Sequence, residues 1–165
     1  MKIINIVDED IINYKEISMF IGMPYCTGKC WRELGLNSSI CQNDCLRTAS
    51  MIEISAQELV NRFDRSELST AIVFGGLEPM DSFSDVCEFL FEFRKNHNNT
   101  VVIYSGYTEK ELKYKLGILK MYKSVVVKVG RYIPNSESRE DSILSVTLAS
   151  DNQYAIDLNK YGNGD

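Results

Sequence analysis

Thr70-Ala71-Ile72-Val73-Phe74-Gly75-Gly76-Leu77-Glu78-Pro79 is the stretch from which the fold is read. Its first half is a short apolar run bounded by turn formers, the pattern of a buried strand. The run stops at two glycines, where the missing Cβ atoms let a ligand approach the backbone, and Glu78 offers a carboxylate to an amine. Taken alone, the same residues also read as a tight turn carrying a solvated acid. No Lys-Ser/Thr follows, so this is not a phosphate-binding P-loop, and the spacing is not that of a dinucleotide fingerprint. A ligand other than a nucleotide phosphate is expected here.

Outward from this strand the chain alternates. On the N-terminal side, Ser55-Ala56-Gln57-Glu58 reads as a capping box opening a helix to about Arg65, with Leu59, Val60 and Phe63 on one face. On the C-terminal side, Val86, Phe89, Leu90 and Phe93 recur at helical spacing between Ser84 and about Lys95. A strand over 100–105, a second capping box at Thr108-Glu109-Lys110-Glu111 with a helix to about Met121, and a strand over 124–129 follow. Apolar runs at 3–7 and 17–22 add two strands near the start. Strands separated by helices of about ten to fifteen residues call for βαβ units, hence an α/β fold with a mostly parallel sheet and alternating helices. Ligands of such sheets gather at the carboxyl ends of the strands. The loop after 17–22 and segments 75–79, 105–107 and 128–131 should therefore share one edge.

That loop, residues 23–50, holds four of the five cysteines within twenty positions: Cys26, Cys30, Cys41 and Cys45, with ten residues between the middle two. Gly28, Gly35, Asn37, Ser38 and Ser39 favour irregular structure around them. Thiolates are soft ligands that suit zinc or an iron–sulfur cluster. A closed zinc site would take all four as a tetrad, an open cluster would take three, and free or disulfide-bonded thiols are the third option. Spacing alone leaves the three open. Cys87 lies beside the apolar stripe of its helix and reads as a core or boundary residue. His97, in Lys95-Asn96-His97-Asn98-Asn99, reads as a solvated helix-end residue. Trp31 and Arg32 would cover a cluster, meet a partner or simply pack the loop.

A chain of 165 residues, 44% hydrophobic and 25% charged, can bury a continuous core, and residues 1–165 are read as one domain. The net charge of −5 gives no footprint for nucleic acid or an anionic membrane surface, so a small molecule or a protein is the expected partner. The first residues lack the apolar run and cleavage site of a signal peptide, and no stretch has the roughly 18–20 apolar residues of a membrane span. A cytoplasmic location, with reduced thiols free for a metal, is the expectation.

Together, the CxxxC loop after a core strand, Cys41-Gln42-Asn43 and Gly75-Gly76-Leu77-Glu78-Pro79 resemble the radical S-adenosylmethionine (SAM) enzymes. The likeness is strongest to the activating proteins of the anaerobic (class III) ribonucleotide reductases. In that family the cluster motif is CxxxCxxC, commonly followed by His-Asn. Tyr104-Ser105-Gly106-Tyr107-Thr108 is similar to the family's Tyr-Thr-Gly-Tyr-Thr. Gly130-Arg131-Tyr132-Ile133 resembles its Asp-Gly-Arg-Phe segment, and Ser150-Asp151-Asn152-Gln153 its Ser-Ser-Asn-Gln. The resemblance spans residues 17–158. Two features depart from it: ten residues stand between Cys30 and Cys41 where the family has two, and Val129 stands where it has aspartate. Lengthening the loop costs on the order of 1–2 kcal/mol of closure entropy.

The resemblance implies an incomplete (β/α) barrel of the radical SAM type. It also implies a [4Fe–4S] cluster on Cys26, Cys30 and Cys41, one iron open to SAM, and Cys45 spare. It places the SAM amino group at Gly75, Gly76 and Glu78, with Pro79 fixing the turn, and the adenine on Ile40. Ser105 is a candidate for the ribose and Lys128 for the SAM carboxylate, each being equally readable as an ordinary strand-end residue. The implied activity is formation of a glycyl radical on a partner enzyme, an anaerobic ribonucleotide reductase, with flavodoxin or ferredoxin as electron donor. A radical SAM enzyme acting on another protein or peptide, a four-cysteine zinc-binding interaction module, and a degenerate member without the cluster are the alternatives.

Overall fold

The computed structural model describes residues 1–160, and the last five residues of the expected 1–165 domain lie outside them. In chain order the elements are β1 (Lys2–Ile3), β2 (Asn5–Asp10), β3 (Ser18–Met23), α1 (Lys29–Arg32), β4 (Ile52–Glu53) and α2 (Ala56–Asp64). Then come β5 (Ala71–Gly76), α3 (Phe83–Phe93), β6 (Thr100–Tyr104), α4 (Glu109–Leu119), β7 (Val125–Val129), β8 (Arg139–Asp141), β9 (Val146–Leu148) and β10 (Tyr154–Asp157). The first apolar run is split between two strands: β1 pairs with β4, and β2 pairs with β3, both antiparallel.

The fold is mixed α/β around a six-stranded sheet of order β10-β7-β6-β5-β3-β2. The four central strands are mutually parallel, and the antiparallel β2 and β10 close the two edges. Each crossover advances one strand in the same direction, and because crossovers are right-handed, α2, α3 and α4 all fall on one face. Both expected helix starts are capped: Ser55 Oγ accepts from Glu58 N at 3.1 Å, and Thr108 and Glu111 form the reciprocal box.

Strand alternation divides the core. Ile21, Phe74, Ile103 and Val127 meet the helices, where Phe89 stands edge-on to Phe74 at 5.2 Å and stacks on Phe93 at 5.2 Å. Phe63 from α2 closes this cluster edge-on to Phe93 at 5.1 Å, and such pairs contribute about 0.5–1.5 kcal/mol beyond area burial. His97 departs from the solvated reading. It stacks on Phe93 at 4.6 Å with Nε2 2.8 Å from an Asp64 carboxylate oxygen, because the end of α3 folds back against α2. On the other face Val73, Val102 and Val126 are covered by Tyr14, Leu144 and Leu148, the last from the β8–β9 hairpin. None of residues 25–53 belongs to either buried cluster.

The glycines that end β5 are fixed by contact. A Cβ on Gly75 would lie 2.6 Å from the Phe20 ring, and one on Gly76 would lie 2.9 Å from the backbone nitrogen of Met23, its partner in the parallel ladder. Gly76 also has φ 80°, a left-handed conformation that costs other residues about 1–2 kcal/mol. Gly76→Ala is expected to lower unfolding stability by about 1–3 kcal/mol. Gly75→Ala, which has only a ring to displace, should cost less. Urea unfolding midpoints of the two variants check the order.

Candidate metal centre

The β3–β5 pairing continues past the strands. Leu77 N donates to Met23 O at 3.0 Å and Glu78 N to Tyr25 O at 2.7 Å, which seats Cys26 beside the Gly-Gly turn. Cys30 rides on the single turn of α1, whose N-cap Gly28 has φ 72° and lies against the Trp31 indole. The span between Cys30 and Cys41 leaves the body and returns through a 3-10 turn, Ser38–Ile40, capped by Asn37, whose Oδ1 accepts from Ser39 N at 3.0 Å. Asn43 Nδ2 then donates to Gly76 O at 2.7 Å and ties the returning chain to β5.

These tethers bring distant segments to one place. Cys26, Cys30 and Cys41, all half-buried, line a cavity of about 510 Å³ together with Gly75, Gly76, Glu78, Ser105 and Lys128. Phe20, Tyr104 and Leu46 supply apolar wall. Cys45 is exposed on the 3-10 turn Asp44–Thr48 and is not part of the lining. Ile40 is half-buried and stands off the wall, as does Pro79, which is buried at the head of the 3-10 turn Pro79–Ser82.

The charges in the cavity are coupled. A hydrogen bond between the Cys30 and Cys41 thiols draws Cys41 down to about 6 and raises Cys30, so one thiolate forms readily at this pair. Burial raises Cys26, opposed by the Gly28 N–H that donates to its Sγ at 3.2 Å. Glu78 Oε1 accepts from Met80 N at 3.1 Å and Oε2 from Gly106 N at 2.7 Å, yet burial pushes its carboxyl up to about 7. Burial also pulls Lys128 down to about 8, with Nζ 3.4 Å from Ser105 O and 3.3 Å from Gly130 O.

A second layer is joined by pairings that no local sequence pattern shows. Arg131 grips both Glu33 oxygens at 3.0 and 3.1 Å, reaches Glu111 at 2.7 Å and donates to Gly106 O at 2.6 Å. Lys29 joins Glu111 and Glu33 from α1. Burial works against the Glu111 anion, but Arg131, Lys29 and Thr108 hold its carboxyl below the usual range. The network clamps the cysteine loop against α4 and the loop after β7. Its members are too far apart in sequence for any period to show them.

Residues 25–156 match the model of the 4Fe-4S single cluster domain family. The chain belongs to that family. No curated protein and no solved structure matches the chain. As a 4Fe-4S single cluster domain it needs a thiolate site, and the three cavity cysteines suit one: soft donors, one already acidic, and an N–H aimed at a sulfur. Among the described residues no three Cys, His, Asp or Glu side chains converge closely enough to ligate one ion. A cluster spreads its cysteines over separate irons, which is the task that thiols around a cavity wall can serve. Among the described residues no helix is long and apolar enough to cross a membrane.

Proposed function

We propose that this 4Fe-4S domain is a radical SAM activase, holding its cluster on Cys26, Cys30 and Cys41 and forming a glycyl radical on an anaerobic ribonucleotide reductase. The observation that carries the reading is that three thiols share one cavity with the Gly75-Gly76 turn and the buried Glu78 carboxylate. Three thiolates leave one iron of a cubane open. We read residues 1–165 as a single domain, with a cluster loop over 23–50. The sheet, with successive parallel strands and all three long helices on one face, is read as an incomplete (β/α) barrel.

A cluster held by Cys26, Cys30 and Cys41 would supply, once reduced by an external donor, the one-electron chemistry of SAM cleavage that glycyl-radical formation on the partner enzyme requires. The chain supplies position and charge. Each Glu78 oxygen keeps acceptor capacity beyond its one backbone N–H and so can hold the SAM ammonium. Gly75 and Gly76 give the close approach, Pro79 sets the turn below them, and Lys128 faces the SAM carboxylate. Ser105, whose hydroxyl meets Glu78 and accepts from Tyr107 N at 3.0 Å, is the candidate for the ribose. Ile40, the adenine candidate, stands off the wall, whereas Leu46 lies on it and is our apolar candidate for the adenine ring. Flavodoxin or ferredoxin is the electron donor in this reading.

The test is anaerobic: reconstituted protein, dithionite, SAM and the reductase, with 5′-deoxyadenosine and the glycyl radical as readouts. Absence of both would sink the proposal. A pH series adds a sharper expectation. Glu78 titrates at about 7 in the free protein and must be ionised to pair with an ammonium. With Lys128 losing its proton at about 8, SAM affinity should therefore peak near pH 7.5, fall about sixfold by pH 6 and fall again above pH 8, measured by equilibrium dialysis.

A further inference from the structure

Three enclosed donors in the cysteine loop have no hydrogen-bond acceptor among the described residues: Arg47 Nε and Nη2 and Trp31 Nε1. They are neighbours, since the Arg47 guanidinium lies over the Trp31 ring at 5.7 Å. Both residues sit close to Cys26. Arg47 Nη1 donates to the Cys26 carbonyl at 3.4 Å, and Trp31 covers Gly28, whose N–H meets the Cys26 sulfur. Arg47 Nε is 3.3 Å from Asp44 Oδ1, within ion-pair distance but without hydrogen-bond geometry, so Nε and Nη2 both stay unused. Buried donors are normally partnered, so three orphaned together single out this corner of the loop as one whose polar groups await a ligand.

We propose that Arg47, held beside Cys26 with Trp31 beneath it, is the fixed positive charge that sets the reduction potential of the bound cluster. Reduction adds one electron, taken from an external donor such as dithionite, to a cluster already negative through its thiolates. A cation held within the loop favours that reduced state, and hydrogen bonds to sulfur act in the same direction. Arg32 provides an internal comparison. It stacks on the same indole at 5.1 Å, carries the same charge, and is exposed to solvent, where screening weakens its reach. The inference rests on the cluster and its family, and is independent of the SAM and activase readings.

The experiment is a redox titration of the reconstituted full chain without SAM, followed by electron paramagnetic resonance. Arg47→Gln is expected to shift the oxidised-to-reduced ratio at a fixed potential about tenfold toward oxidised, which is about 59 mV for one electron. Arg47→Lys and Arg32→Gln should each stay within about threefold of wild type. An Arg47→Gln ratio within threefold of wild type, or an equal shift in Arg32→Gln, overturns the proposal. Should Arg47→Gln take up no iron, Arg47→Lys decides. Uptake with a near-wild-type ratio upholds a role for the charge, and failure of uptake or a tenfold shift assigns Arg47 to loop packing alone.

Discussion

Cys41→Ala is expected to abolish the reduced-cluster signal and the stoichiometric iron and sulfide of the reconstituted protein, while Cys45→Ala keeps both. The two thiols are four residues apart, and the structure separates them clearly. Cys41 lines the cavity beside Cys30, whose thiol draws it below the ordinary thiol range toward the ligating thiolate form. Cys45 is exposed on the following turn and is not part of the cavity lining. Removing Cys41 leaves two cavity thiols, too few to hold a cubane by three corners. Loss in both variants would favour a four-cysteine site with no open iron, and loss in Cys45→Ala alone would move the third corner to that residue.

Glu78→Gln is expected to remove the effect of SAM on the cluster signal while leaving the cluster itself in place. The amide retains the shape but has one acceptor oxygen for two backbone donors, Met80 N and Gly106 N. One N–H then faces the amide NH₂, at a cost of about 1–3 kcal/mol. That cost carries a pH signature. Burial raises the Glu78 carboxyl from 4.5 to about 7, so the folded state keeps the proton more tightly than the unfolded chain does. Its contribution to stability is complete below about 4.5 and is lost as pH rises through about 7. Wild type should therefore exceed Glu78→Gln by more at pH 5 than at pH 8 in urea unfolding. A gap that is constant or widens with pH would show that Glu78 is ionised in the native protein, held so by Lys128 and its two backbone donors.

The helices and central strands were legible because their apolar residues repeat locally: Leu59, Val60 and Phe63, or Val125 to Val127, announce a buried face by spacing alone. Parallel order followed from alternation, and with it the gathering of Gly75, Ser105 and Lys128 at one end of the sheet. Long-range pairing was not legible. The hairpin Arg139–Leu148 is organised by buried Asp141, whose carboxylate accepts from Ile143 N and Leu144 N nearby and from Ala155 N in β10. No local pattern distinguishes such an acid from a solvated one. Charge partners such as Arg131 and Glu33 meet only after folding, and the orphaned Nη2 of Arg47 is visible only once its surroundings are known. His97 was misplaced for the same reason, since its neighbour Asp64 comes from another helix.

The cysteine loop adds nothing to either buried cluster between residues 25 and 53. In a zinc finger the binding energy of the metal is the folding energy, and stripping the metal unfolds the chain. Here the walls that receive the ligand, Gly75, Glu78, Ser105 and Lys128, are strand ends anchored in a core assembled without the loop. A chain that lost its irons would therefore keep these walls, and refilling it would need no refolding of the core.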